Sequence, residues 1–123
     1  LKILSNQLYT QIRGDGVYFE QASYYHRYTA DFYTHLLTLG KATRATLSPE
    51  LEAMLAQMLD HLMWIARPDG SSCLIGDDDG GRLVMLGVRR ADDFRDTLAT
   101  GAAITGRGDW KFVAGEAAAE TLW

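Results

Sequence analysis

Apolar residues recur at three- and four-residue intervals through most of the chain, the period of an α-helix buried on one side. Ile3, Leu4, Leu8 and Ile12 set the first stripe and Gly14 stops it, which predicts a helix over about 2–13 followed by a turn at Asp15-Gly16. The pattern resumes near Glu20, where Tyr25, Tyr28, Phe32, Leu36 and Leu39 lie on one face, while Tyr24, Tyr33 and Leu37 make other sides apolar as well. A helix that is apolar nearly all round is a buried one. It ends at Gly40.

The third helix carries the clearest start signal. Ser48 stands at the N-cap, Pro49 at the first helical position, and Glu50 and Glu52 in the first turn, where the helix dipole favours acids. Leu51, Met54, Leu55, Met58, Leu62 and Ile65 form its core stripe, and Arg67-Pro68 ends it. The short connection 41–47 predicts that the second and third helices pack antiparallel.

Residues 68–82 hold four glycines, one proline and four aspartates, which excludes a regular element and predicts a long ordered loop. Loops of that length within a compact domain are uncommon and are often functional. Leu83 to Val88 reads as a short strand or a buried turn. Asp92 to Ile104 reads as a weaker helix built on Phe94 and Leu98, and Glu116 to Trp123 as the start of another. No repeat of 20–50 residues recurs. The fold class is all-α, built of antiparallel helical hairpins.

Composition narrows the function classes. The 123 residues are 47% hydrophobic and 23% charged, which suits a folded domain with a core. No apolar run approaches the roughly 18 residues of a membrane span. A formal net charge of -4 leaves no basic footprint for nucleic acid. The single cysteine, Cys73, excludes an internal disulfide and a multi-thiolate metal centre. The chain begins without Met inside a helical pattern and ends inside another, as expected of a piece of a longer protein.

Five of the six tyrosines fall between Tyr18 and Tyr33, together with Phe19, Phe32, His26 and His35, so aromatic and titratable groups share one stretch. Tyr25 stands out because a phenol on a helix can give a proton to a reacting oxygen, although packing is the commoner fate of such a residue. His26 adjoins it, but consecutive helical residues point about 100° apart, so the two need not face the same atom. His35 and His61 fall on helices where the spacing of carboxylates and histidines does not suggest a metal site. Asp77-Asp78-Asp79 lacks the alternating spacing of a calcium loop, which leaves these carboxylates to cap loop amides or to rim a polar cleft. No nucleotide, serine-hydrolase or zinc-protease motif is present, and neither a metal nor a cofactor is expected.

The stretch Asp15-Gly16-Val17-Tyr18-Phe19-Glu20-Gln21-Ala22-Ser23-Tyr24-Tyr25-His26-Arg27-Tyr28 resembles a signature in the helical domain of heparinase II/III-like polysaccharide lyases. Ile75-Gly76-Asp77-Asp78-Asp79-Gly80-Gly81-Arg82 resembles the loop that follows it in that domain. Ala22 stands where serine is more usual and Tyr24 where a small residue is common. The resemblance implies that 1–123 is part of an incomplete α/α toroid, followed in the parent protein by a β-sandwich domain. It implies β-elimination on an acidic, uronate-containing polysaccharide such as a glycosaminoglycan or alginate, in the periplasm or outside the cell.

Under that resemblance Tyr25 is the catalytic acid, and Glu20, Gln21, His26, Asp77, Asp79 and Arg82 are substrate-binding residues. An Asn or His upstream of Leu1 and a His beyond Trp123 would complete the site, so the isolated piece is expected to be inactive and to self-associate through faces meant for absent neighbours. A non-catalytic helical domain that binds carbohydrate or protein is the alternative.

Overall fold

The computed structural model describes residues 2–122 and contains six helices and no strand among them. They are α1 (Lys2–Gln11), α2 (Ser23–Thr43), α3 (Pro49–Ile65), α4 (Arg95–Thr105), α5 (Gly108–Ala114) and α6 (Ala119–Leu122). Trp123, the last residue of the predicted final helix, lies outside the described residues. No helix is long and apolar enough to cross a membrane.

The predicted start of α3 is realised atom by atom: Ser48 is the N-cap, its hydroxyl accepts from the Leu51 amide at 3.3 Å, and Pro49 opens the helix. α2 and α3 run antiparallel, since His26 early in α2 meets Met58 and His61 of α3, while Gly40 late in α2 lies against Leu47 just before α3. The turn after α1 is pinned to the same pair. Gly16 has φ +83°, and a Cβ there would stand 2.6 Å from the Gln57 carbonyl oxygen, so glycine lets the turn settle onto α3.

The core joins Leu8 of α1 and Ile12 just after it to Tyr24, Tyr33 and Leu37 of α2, to Leu51, Leu55, Met58, Leu59 and Leu62 of α3, and to Phe94, Leu98 and Trp110. Most of the α3 stripe and both anchors of α4 are therefore where periodicity puts them.

The buried face of α2 is not. Tyr25, Tyr28 and Leu36 are only half-buried, and Phe32 and Leu39 are 47% and 60% exposed. What α2 turns inward is Tyr24, Ala30, Tyr33 and Leu37, with His26, Arg27, Asp31 and Thr34 among them. For His26, Arg27 and Asp31 the reason is that polar groups can be buried when they are paired, whereas the Thr34 hydroxyl is buried without a hydrogen-bond partner among the described residues. Arg27 donates through Nε to the Thr97 hydroxyl (3.2 Å) and through Nη2 to Asp96 (2.8 Å), lies 3.2 Å from Asp31, and so ties α2 to α4. Thr97 completes the group by donating to Asp31 at 2.6 Å.

Two further expectations are corrected and one helix was missed. Ile3 and Leu4 are exposed, so only the C-terminal half of the α1 stripe enters the core. Residues 83–88 form neither strand nor buried turn: Met85, Leu86 and Val88 face solvent, and the Leu86 and Gly87 amides are satisfied by the Glu120 carboxylate at 2.9 and 2.8 Å. Helix α5 was not anticipated, because Gly106 and Gly108 mask its start; its fully buried Trp110 donates from Nε1 to Asp60 at 2.8 Å under the Arg107 guanidinium.

Candidate functional site

Between α1 and α2 the chain makes a tight corner and then meets the long loop. Asp15 accepts from the Val17 amide at 3.1 Å, and Ile12 bridges to Tyr18. Gln21 takes φ +57°, and with its amide oxygen turned towards Arg13 it accepts from both terminal guanidinium nitrogens, at 2.6 and 2.8 Å. Helix α2 starts two residues later at Ser23.

Ser23 is the point at which the two halves of the site join. Its amide donates to the Ile75 carbonyl at 2.9 Å, and its hydroxyl accepts from the Ile75 amide at 2.9 Å. Gly76, with φ +73°, lies over Ala22 so closely that a Cβ would stand 2.9 Å from the alanine Cβ. The loop then continues over α2: Asp79 accepts a short hydrogen bond from the Tyr25 hydroxyl, and a Cβ at Gly81 would stand 3.7 Å from the Tyr28 ring. The stretches 15–28 and 75–82, about fifty residues apart in sequence, are thereby in contact.

Tyr25 is half-buried and ringed by acids. The hydrogen bond to Asp79 is the main cause that pushes its phenol up to about 12; some desolvation and the charges of Asp79, Asp77 and Glu20 act in the same sense. A phenol so placed stays protonated at neutral pH and is a proton donor rather than a base.

The remaining predicted site residues divide. Glu20, Asp77 and Asp79 act on Tyr25 electrostatically. Asp78, between two of them, caps its own loop by accepting from the Gly80 amide at 2.8 Å. Arg82 reaches away, donating to the carbonyls of Arg89 and Arg90 at 3.3 and 3.0 Å, and so closes the 82–90 segment.

Gln21 and His26 line a separate cavity of about 310 Å³ with Arg13, Asp15, Ala22, Ser23, His61 and Ile75. His26 is 1% exposed and has both nitrogens committed: Nδ1 accepts from the Tyr18 amide at 3.1 Å, and Nε2 donates to the Met58 carbonyl at 2.9 Å. That geometry holds one neutral tautomer, and burial, the largest cause, pushes its pKa down to about 4. His26 thus fastens the turn and α2 to α3. His61, whose ring lies 4.7 Å from that of His26 at a tilt of 52°, is also pushed down by burial.

Periodicity and motif spacing did not single out Ser23, Gly76 or the Arg27 group. Their one sign in the sequence is that Ser23, Arg27 and Gly76 lie within the two stretches that resemble the family signatures, which does not pair them. Among the described residues no set of three or more His, Cys, Asp or Glu is gathered as a metal site would require. Comparison of the chain with protein-family models, with curated proteins and with solved structures finds no match.

Proposed function

We propose that the chain is the Tyr25-bearing part of a polysaccharide lyase of the heparinase II/III-like kind, in which Tyr25 gives its proton to the departing glycosidic oxygen during β-elimination. The observation that carries this reading is the contact between Tyr25 and Asp79. The two stretches that resemble the family signatures meet there, and the acceptor holds the phenol protonated with its hydroxyl directed outward from α2. In the reaction the glycosidic oxygen replaces Asp79 as the acceptor. A base takes the proton at C5, and a cationic or amide group quenches the uronate carboxylate. Within the site Arg82 is spent on carbonyls, so the groups that do this come from the parts of the parent protein outside this chain, as does the rest of the toroid.

The test is the Tyr25→Phe variant of the parent protein. It should fold normally and lose formation of the unsaturated uronate, followed by ultraviolet absorbance. Retention of full activity would overturn the assignment.

A second reading is a helical domain that binds carbohydrate without cleaving it. It is favoured by the charge around the phenol, because Glu20, Asp77 and Asp79 together repel a uronate carboxylate at the point where it would approach. Under this reading the parent protein binds neutral polysaccharides in preference to acidic ones and releases no unsaturated product from either.

A further inference from the structure

We propose that Ser23 is a positioning residue for Tyr25: by clamping both backbone polar groups of Ile75, it fixes the 75–79 loop over α2 so that Asp79 meets the Tyr25 hydroxyl. The proposal rests on the reading above for its catalytic meaning, but the geometry stands apart from it. Ser23 is 4% exposed, and its side chain and amide both bond to Ile75. Its hydroxyl also lies 3.4 Å from the Ile75 carbonyl, so Ser23 holds the two successive peptide groups that flank the Ile75 Cα. Ile75 itself is exposed, so apolar burial of its side chain does not anchor the loop there.

Four residues on, Asp79 is exposed and accepts from the hydroxyl of Tyr25, within the first turn of the same helix. Ser23 and Tyr25 are two residues apart on one rigid element, so fixing Ile75 to the first fixes the reach of Asp79 to the second. Gly76 cooperates from the loop side, since its positive φ and its closeness to Ala22 let the chain turn flat against the helix start.

The readout is the proton affinity of Tyr25 in the 123-residue chain itself, which needs no substrate. With 13C-labelled tyrosine and the Tyr25 resonance assigned from Tyr25→Phe, the parent chain should keep Tyr25 un-ionised to about pH 11, above the ordinary tyrosine value of about 10. Asp79→Ala should return its midpoint towards that ordinary value. Ser23→Ala should do the same, and so should Gly76→Ala, which displaces the loop without touching Ser23. Tyr18 and Tyr33, raised chiefly by burial, are internal controls, because a general loosening of the fold would move them as well.

A Tyr25 midpoint in Ser23→Ala equal to that of the parent, with Asp79→Ala shifted, would overturn the proposal; so would an ordinary Tyr25 midpoint in the parent. Failure of the lyase assignment leaves these titrations unchanged, so the two outcomes are separable.

Discussion

At the scale of single residues, the interior of this small domain contains titratable groups that work against each other. Burial, opposed by Arg27 and the Thr97 hydroxyl, pushes Asp31 up to about 6, with Asp96 adding to the rise and His35 resisting it. Burial pushes His26 down to about 4 and His61 down as well. Between about pH 4 and 6 native Asp31 holds a proton that the unfolded chain has released, so its contribution to stability falls as pH rises. Over the same range unfolded His26 carries a proton that the native state lacks, so its contribution rises with pH up to its ordinary value near 6.5. The two slopes offset one another in the parent chain. Asp31→Asn removes the falling one, so its urea midpoint should climb relative to the parent between pH 4 and 6. His26→Gln, which keeps a donor and an acceptor, should do the reverse. A pH-independent difference for Asp31→Asn would show that Asp31 titrates as an ordinary aspartate. None of this was legible in the sequence, where Asp31 carried no signal and His26 stood out only as a candidate substrate-binding residue.

At the scale of elements, what could be read depended on whether the signal was local. α3 was readable because a cap, a proline, two acids and an unbroken Leu/Met stripe all lie within its own residues. The length of α2 was readable too, but its orientation was not. Arg27 and Asp31 enter the core only because Asp96 and Thr97 wait for them some seventy residues later. The same holds for the candidate site: Tyr25 and the Asp77–Asp79 run each stood out, yet their contact depends on a Ser23 bond to Ile75 that spans 52 residues. The energetic weight of the two kinds of feature should differ accordingly. Ser48→Ala removes one partly exposed cap bond and should cost about 1 kcal/mol. Arg27→Met leaves Asp31 and Asp96 buried without their guanidinium and should cost about 3–5 kcal/mol, the usual penalty for breaking a buried pair from one side. Denaturant unfolding of both variants at neutral pH measures the ratio. Equal losses would mean that the Arg27 group adds little to the docking of α2 on α4.

At the scale of the whole molecule, the domain exposes many large apolar side chains. Ile3, Phe32, Leu39, Trp64, Val88 and Phe112 are each large and at least 46% exposed, and they come from every part of the chain. On α2 the exposed Phe32 is continuous with the site, since the half-buried Tyr25 and Tyr28 precede it at helical spacing and the Tyr28 and Phe32 rings meet edge-on at 4.9 Å. Single exposed apolar residues are ordinary, but a stripe of them along a long helix is a surface that water solvates poorly. Such a face promotes contact with another copy of the chain when nothing else covers it. Sedimentation velocity on the 123-residue chain should therefore show association that grows with concentration and persists in high salt, because the net charge of -4 provides only weak repulsion. Phe32→Ser combined with Leu39→Ser should shift the distribution towards monomer while leaving helix content unchanged, since neither side chain belongs to the core. A parent chain that stays monomeric at high concentration would refute the idea that this stripe is an adhesive face. A double variant that associates as strongly as the parent would move the contact to another surface, with Trp64 on α3 and Phe112 on α5 the next to replace.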